Sequence, residues 1–162
     1  METTDAANLI KYLKDTTTET PFLIREPEEV TLTLEQEVAF LQGRIEAERE
    51  LMLVATLEDE LIGSCSLMSA GPFRRYAHRC DVAIAIYKKY WGAGIGELMM
   101  RALLDIAKQV GYEQAELEVV ADNHAGIQLY QKLGFEEYGR FPKNMKYQDG
   151  TYADALWMMK HL

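Results

Sequence analysis

The spacing of hydrophobic and polar residues in the first third of the chain predicts two helices followed by two strands. Apolar positions recur with helical spacing over Asp5–Lys14, which predicts the first helix. A second helix is predicted to begin at Thr33, because Thr33 and Gln36 form a capping-box pattern. The apolar residues that continue this helix are Leu34, Val38, Leu41 and Ile45. The threonines Thr16–Thr18 are expected in a loop. The strands are predicted to pair as an antiparallel hairpin and cover Leu51–Leu57 and Leu61–Ala70.

Strands and helices alternate in the rest of the chain. The strongest helical spacing runs from Ile95 to Val110, and Gly111 predicts its end. The resulting order, α α β β β α β α β β, predicts an α+β fold with a mixed sheet and helices on both faces. The other predicted segments are strands at Asp81–Ile86, Leu117–Val120, Phe135–Phe141 and Thr151–Met159, and a helix at Ala125–Leu133.

Length and composition restrict the class of protein. The chain has 162 residues, of which 48% are hydrophobic and 27% are charged, so we expect one globular domain over residues 1–162. No apolar run approaches the ~18 residues of a membrane helix, and the N-terminus has no signal-peptide layout. Cys65 and Cys80 are too few for a disulfide scaffold or a zinc cluster. The sequence therefore predicts a soluble cytoplasmic domain without a metal site.

The formal net charge of −9 disfavours nucleic acid as a partner, because phosphates would be repelled. Acidic residues are concentrated in the first 60 positions, and each of them, Glu37 included, is expected on the solvated surface. The alternative is an acidic rim for a cationic ligand. A short basic stretch around Arg74, Arg75 and Arg79 has two similar interpretations. It is either solvated surface or a basic rim that binds an anionic ligand.

A glycine-rich turn, Trp91–Gly96, lies between a predicted strand and the strongest predicted helix. Such a turn presents backbone N–H groups and the positive end of the helix dipole to an anion, and a phosphate is the natural ligand. The spacing fails the dinucleotide fingerprint, since Glu97 occupies its last glycine position, and no P-loop lysine follows. A phosphate cradle and a turn without a ligand remain equal alternatives at this point.

The segment Asn123–Phe135 contains Leu-Tyr-x-Lys-Leu-Gly-Phe, and together with Ile84–Ile86 and Trp91–Gly96 it resembles the GNAT superfamily of acetyl-CoA-dependent N-acetyltransferases. The resemblance covers nearly all of Leu51–Leu162 and is similar in form to bacterial acetyltransferases of small amines or protein N-termini. It implies a mostly antiparallel sheet with a splayed cofactor cleft, acetyl-CoA as cosubstrate and an amine as acceptor.

The resemblance also implies which residues bind the cosubstrate. The turn that would hold the pyrophosphate begins with Trp91, where the family more often has Gln or Arg. Asn123 would contact the cofactor or cap the helix, two roles that stay open. The pyrophosphate-binding amides would come from Trp91, Gly92, Ala93, Gly94, Ile95 and Gly96, and the thioester would lie along Ile84, Ala85 and Ile86.

For catalysis, the resemblance assigns Tyr130 as the acid that protonates the departing thiolate. A base must take a proton from the acceptor amine, and the candidates are Asp81 and Glu118, ahead of His78. For each of these three side chains taken singly, a surface or hydrogen-bonding role is the better explanation. Neither cysteine has a neighbouring His-plus-acid pattern, so direct attack by the amine is preferred over a covalent intermediate.

On the acceptor side, the resemblance places the pocket at Phe22–Ile45 and Pro142–Tyr152. The carboxylates and tyrosines of these segments would suit a cationic amine. The alternative is that they form an ordinary acidic surface. Only Met1–Thr4 precede the first helix, so the family's initial strand is expected to be missing or very short. Tyr152–Met159, with Trp157, is a candidate homodimer surface, although core packing explains Trp157 equally well. A non-catalytic acyl-CoA-binding module is the alternative function.

Overall fold

The computed structural model describes residues 2–162, in which four α-helices and six β-strands follow in the predicted order. Short 3-10 turns lie at Thr3–Asp5, Pro27–Glu29, Arg74–Tyr76 and Lys88–Tyr90. The main elements are α1 (Ala6–Glu19), α2 (Leu34–Glu46), β1 (Leu51–Leu57), β2 (Glu60–Ser69), β3 (Arg79–Ile86), α3 (Ile95–Gln109), β4 (Gln114–Val120), α4 (His124–Lys132), β5 (Glu136–Lys146) and β6 (Tyr152–His161).

The strands form a six-stranded sheet in the order β1-β2-β3-β4-β6-β5. β1 and β2 pair as the predicted antiparallel hairpin, with Leu51 opposite Leu67. β4 pairs antiparallel with β6, and β6 pairs antiparallel with β5. β3 and β4 are parallel, and their register joins Arg79–Asp81 to Gln114–Glu116. The sheet is therefore mixed, and the predicted α+β fold class is confirmed.

The chain divides into two compact units, which are described separately. The first contains the described residues up to Met68 together with Ala83–Leu103, and the second contains Ser69–Val82 and Leu104–Leu162. The division falls inside β3 and inside α3. Organisation as one domain over residues 1–162 stays a prediction.

The core of the first unit forms where α1 meets α2 and β2. Ala6, Leu9 and Tyr12 of α1 are each 1% exposed, since this face of the helix is turned inward, and Leu41 of α2 packs against them. The other buried members of the cluster are Leu61, Ile62 and Tyr87. The predicted capping box is present, because Thr33 Oγ1 accepts from the Gln36 N–H and Gln36 Oε1 accepts from the Thr33 N–H.

Two predictions for the helices are wrong. Thr16–Thr18 lie inside α1 rather than in a loop, and each hydroxyl donates to a backbone oxygen three or four residues earlier, which satisfies it without leaving the helix. In α2, Leu34 and Ile45 are about half exposed, whereas Glu37 is buried at 2% exposure. The inward face of α2 is therefore rotated from the one predicted by its apolar residues.

The second unit is built around β4 and β6. Ala115 and Met158 are almost completely buried, as are Cys80 and Phe135. At the start of β3, the guanidinium of Arg79 forms a bidentate pair with the buried carboxylate of Glu116, with Nη2 and Oε2 2.6 Å apart. The hydrogen bonds of this pair, together with the attraction between its opposite charges, raise the pKa of Arg79 and lower the pKa of Glu116.

At the N-terminus, Thr3–Asp5 form a 3-10 turn, and no strand precedes α1 within the described residues. Within the same residues, no helix has the length and apolar character needed to cross a membrane.

Candidate functional site

The glycine turn has the backbone conformation expected of an anion-binding turn. Gly92 and Gly94 adopt φ angles of 76° and 81°, in the left-handed region that favours glycine, and α3 begins directly afterwards at Ile95. The first N–H groups of a helix have no partners within it, and they lie at the positive end of its dipole. The turn therefore has a conformation that can present donors to a phosphate, and phosphate binding by these residues stays a prediction.

A side chain ties this turn to the strand that precedes it. The indole Nε1 of Trp91 donates to the backbone oxygen of Ile86, the last residue of β3, at 2.8 Å. Trp91 itself is 40% exposed, so its ring covers the junction from the solvent side. The residue that departs from the usual family pattern thus fixes the entry to the turn.

The last part of β3 is held from the other side by α1. The hydroxyl of Tyr12 donates to the Ala85 oxygen at 2.5 Å and accepts from the Ser64 N–H at 3.1 Å. Burial raises the pKa of Tyr12 to about 12, so this hydroxyl keeps its proton. No local sequence pattern indicates this contact, because it joins positions 73 residues apart in the chain.

A cavity of about 380 Å³ lies inside the first unit. Its walls come from α1, the α1–α2 connection, α2, β1, β2 and β3, and they are mostly apolar. Ile84 and Ala85 line it, as do residues of the predicted acceptor region, including Leu23, Arg25 and Phe40. The structure therefore brings Phe22–Ile45, in part, together with the strand predicted to hold the thioester.

Glu37 also lines this cavity, and its position contradicts the expectation of a solvated side chain. Burial raises the pKa of Glu37, while the positive charge of Arg25 opposes that effect. The sequence did contain a hint, because Glu37 lies four residues before Leu41 and therefore on the same side of α2. A carboxylate on the apolar face of a helix indicates a candidate for a buried, functional side chain.

Tyr130 and Asn123 belong to the second unit. Tyr130 lies on α4, is 8% exposed and packs edge-on against Phe135, with ring centroids 5.9 Å apart. Burial raises the pKa of Tyr130 to about 12. Asn123 caps α4, since its Oδ1 accepts from the Gly126 N–H at 3.0 Å. The capping role is thus present, and a cofactor contact of Asn123 stays a prediction.

The candidate base Asp81 is half-buried on β3, opposite Glu116 of β4. Burial raises the pKa of Asp81, the negative charge of Glu116 adds to the rise, and the positive charge of Arg79 opposes it. A carboxyl group in this environment holds a proton more readily than an exposed one, which is the property that a base near neutral pH needs.

The second candidate base, Glu118, is exposed on β4 and accepts two hydrogen bonds. Asn144 Nδ2 donates to Oε1 at 2.7 Å, and Trp157 Nε1 donates to Oε2 at 2.9 Å. The Trp157 ring stacks with Tyr138 and contacts Phe141. The hydrogen bond from the Trp157 indole therefore orients the Glu118 carboxylate. Trp157 is 36% exposed, so part of its ring faces solvent.

The predicted site residues therefore fall in both units. Ile84, Ala85, Ile86 and the turn Trp91–Gly96 belong to the first unit, whereas Asp81, Glu118, Asn123 and Tyr130 belong to the second. Among the described residues, no group of three or more His, Cys, Asp or Glu side chains is arranged to bind a metal.

Comparison with known families gives a match over most of the chain. The family model described as "Acetyltransferase (GNAT) family" matches residues 10–135. The matched range includes the glycine turn, Asp81, Glu118, Asn123 and Tyr130. The family resemblance drawn from the sequence is confirmed.

Individual relatives agree with this match. N-alpha-acetyltransferase 30 of Schizosaccharomyces pombe is 39% identical over 70 residues, which are 43% of this chain and 45% of that protein. L-methionine sulfoximine/L-methionine sulfone acetyltransferase of Pseudomonas paraeruginosa is 22% identical over 83% of this chain and 77% of that protein. The crystal structure of a GNAT-family acetyltransferase from Streptococcus pneumoniae superposes with a TM-score of 0.95 at 28% identity, covering 100% of this chain and 96% of that one.

Proposed function

Because this chain belongs to the GNAT family of acetyltransferases and is an acetyl-CoA-dependent acyltransferase, we propose that it transfers an acetyl group from acetyl-CoA to a primary amine. The observation that carries the proposal is the glycine turn, in which Gly92 and Gly94 adopt left-handed φ angles directly before the N-terminus of α3, the end of a helix that favours a phosphate. The family match alone establishes the class of enzyme, and the turn supplies a binding site for its cosubstrate.

In this proposal, the backbone N–H groups of Gly92–Gly96 bind the pyrophosphate of acetyl-CoA. The N–H of Trp91, which was also predicted to bind it, donates to the Lys88 oxygen at 3.1 Å. The thioester lies along Ile84–Ile86, where a backbone N–H stabilises the charge that develops on the carbonyl oxygen. The hydrogen bond from Trp91 to Ile86 supports this arrangement, because it joins the phosphate-binding turn to the end of the strand.

The reaction is direct attack. The nitrogen of the neutral amine forms a bond to the thioester carbonyl carbon, and the bond from that carbon to sulfur breaks. The proton lost by the nitrogen passes to a base, and Tyr130 donates its phenolic proton to the departing thiolate. Tyr130 remains protonated at neutral pH because burial raises its pKa to about 12.

Asp81 and Glu118 are both proposed as the base. The raised pKa of Asp81 supports the first, and the orientation of Glu118 by Asn144 and Trp157 supports the second. Asp81→Asn and Glu118→Gln separate them when kcat/KM is measured against pH. The variant that lacks the base loses the acidic limb of the profile, and the other variant keeps it.

The acceptor is proposed to be a small primary amine or a protein N-terminus. Support comes from the names of the relatives, one an N-alpha-acetyltransferase and one an acetyltransferase of L-methionine sulfoximine and L-methionine sulfone. A non-catalytic acyl-CoA-binding module is not favoured, because Tyr130 and both candidate bases are present in the chain.

A thiol-release assay tests the function. Acetyl-CoA is mixed with the protein and with amino acids, polyamines, aminoglycosides or N-terminal peptides in turn, and free CoA is measured. We expect release above hydrolysis with one of these classes. Acetyl-CoA binding without release from any acceptor contradicts the transferase proposal and supports the binding module.

A matched pair of glycine variants tests the binding turn. Gly94→Ala places a side chain at φ 81°, which costs about 1–2 kcal/mol and shifts the turn, so acetyl-CoA affinity should fall about tenfold. Gly43→Ala is the control, since Gly43 is an exposed residue of α2 where an added Cβ meets nothing within 4 Å. Equal affinity in both variants contradicts a role of the turn.

A cytoplasmic location and a homodimer formed through Tyr152–Met159 are also proposed. The sequence has two cysteines, Cys65 and Cys80, both of them buried, and so low a cysteine content agrees with a reducing compartment. The partly exposed aromatic surface around Trp157 supports the dimer. Sedimentation of the wild type and of Trp157→Ser tests it, with a monomeric wild type as the contrary outcome.

A further inference from the structure

The cavity of the first unit has the size and lining of a small-molecule pocket. Its volume of about 380 Å³ lies within the range of known ligand sites, which is about 300–1,000 Å³. Apolar side chains from α1, α2, β1 and the α1–α2 connection line it: Leu9, Leu13, Leu23, Leu32, Phe40 and Met52. These walls favour an aliphatic or aromatic body.

One charged side chain in this lining is deeply buried. Glu37 is 2% exposed, and its Oε1 is buried with no hydrogen-bond partner among the described residues. An ionised carboxylate without a partner is costly inside a protein, typically by several kcal/mol. Glu37 Oε1 therefore lacks the hydrogen-bond donor or positive charge that would stabilise the ionised carboxylate.

The polar side chains that line the cavity do not donate a hydrogen bond to Glu37 Oε1. The hydroxyls of Thr16 and Thr17 donate to backbone oxygens of their own helix. Arg25 is exposed, and its charge lowers the pKa of Glu37 without a hydrogen bond to Oε1. A ligand that brings its own cationic donor into the cavity would supply the missing interaction.

We propose that the acceptor binds in this cavity as a cation, with an ammonium group against Glu37 and an apolar body against the surrounding side chains, and that the nitrogen that attacks the thioester is a second, neutral amine of the same molecule. This inference rests on the proposed function and narrows its acceptor to amines that carry a positive charge on an apolar body. The cavity also includes Ile84 and Ala85, so a molecule bound there adjoins the strand proposed to hold the thioester. A hydrogen bond between two charged groups is roughly twice as strong as one between neutral groups, so Glu37 selects a cation over a neutral molecule of the same shape.

The probes are three molecules of similar shape and different charge: hexylammonium, hexan-1-ol and hexanoate. Each is titrated into the full chain without acetyl-CoA, at physiological ionic strength to screen weak attraction to the acidic surface. Leucine methyl resonances of Leu9, Leu13 and Leu23 locate the ligand in the cavity by NMR. Glu37→Gln removes the charge, and Glu35→Gln is the matched control, since Glu35 is an exposed residue of the same helix.

For the wild type, we expect hexylammonium to shift these methyl resonances and to bind about tenfold more tightly than hexan-1-ol. Glu37→Gln should bind the two equally, and Glu35→Gln should keep the preference. Equal binding of both molecules to the wild type, a preference that persists in Glu37→Gln, or shifts confined to residues outside the cavity each overturn the inference.

Acetyl transfer is measured separately, so that the two proposals fail in different ways. If an amine is acetylated with the same KM by the wild type and by Glu37→Gln, the cavity inference is wrong and the transferase proposal stands. If hexylammonium binds at Glu37 but no amine is acetylated, the transferase proposal is wrong and the cation site stands.

Discussion

The hydroxyl of Tyr12 joins α1 to the backbone of Ala85 in β3, at 2.5 Å and across 73 positions of the chain. The same oxygen accepts from the Ser64 N–H of β2. Since Tyr12 is 1% exposed, water has little access to replace either bond. One side chain therefore satisfies backbone groups of two strands next to the cavity.

Tyr12→Phe removes both hydrogen bonds and keeps the ring. We expect the free energy of unfolding to fall by about 1–3 kcal/mol, because buried backbone groups lose their partner. Urea denaturation measures the change. Tyr152→Phe is the control, since Tyr152 is 50% exposed and should change stability by less than about 0.5 kcal/mol. Equal effects in the two variants contradict the structural role of Tyr12.

Tyr130→Phe tests the proposed acid. We expect kcat to fall by about 10²-fold or more, while the acetyl-CoA dissociation constant changes less than about threefold, because the ring still packs against Phe135. Steady-state kinetics and calorimetry give the two values, with Tyr76→Phe as an exposed control. Unchanged turnover is incompatible with the role of Tyr130.

The raised pKa of Tyr130 also predicts the pH dependence of turnover. The acid must be protonated to act, and its pKa of about 12 keeps it protonated over the usual assay range. In the wild type, kcat should therefore show no decline from Tyr130 ionisation between about pH 8 and pH 10. A decline near pH 10 that disappears in Tyr130→Phe contradicts this prediction.

The pair between Arg79 and Glu116 should make stability depend on acid pH. The pKa of Glu116 is lowered in the folded chain by the Arg79 hydrogen bond, so the pair stabilises fully above the unfolded pKa of about 4.5 and loses that contribution as the pH falls further. Arg79→Met leaves the buried Glu116 carboxylate without a positive partner, although Gln114 Nε2 still donates to its Oε1, and should cost about 3 kcal/mol at pH 7.

Urea denaturation of wild type and Arg79→Met at neutral pH and at about pH 3.5 measures this dependence. The difference between the two proteins should shrink at the lower pH, where Glu116 is largely protonated in the variant. Glu116→Gln serves as a control that removes the charge and keeps the shape. A difference independent of pH contradicts the ion-pair explanation.

Glu37→Gln should stabilise the protein at pH 7. Burial raises the pKa of Glu37 in the folded chain, so the ionised group destabilises the fold increasingly as the pH rises above its unfolded value. The gain should be about 1 kcal/mol at neutral pH and should vanish near pH 4. Thermal unfolding at the two pH values measures it, and Glu35→Gln should show no comparable gain.

Asn123→Ala should cost about 1 kcal/mol, because the Gly126 N–H loses its cap, whereas Asn123→Ser keeps an acceptor and should stay close to the wild type. Chemical denaturation compares the two variants. If both lose the same stability, the cap is not the source of the effect. Acetyl-CoA affinity of the serine variant then reports any separate contact with the cofactor.

Features determined within a few residues could be predicted from the sequence alone. The capping box of Thr33 and Gln36, the cap formed by Asn123 and the glycine turn all depend on neighbours three or fewer positions away or on a single φ angle. Glycine is permitted where other residues are strained, and a capping oxygen reaches only nearby N–H groups. The hairpin of β1 and β2 follows in the same way from alternation and a short turn.

The tertiary structure alone decided which polar groups are buried and what they contact. Thr16 is helical because α1 continues against α2 and β2, Glu37 is buried because α2 turns that face inward, and Tyr12 reaches Ala85 from a distant part of the chain. Burial depends on contacts between segments that no local pattern specifies, and a charged side chain looks the same in the sequence whether water or an apolar cavity surrounds it.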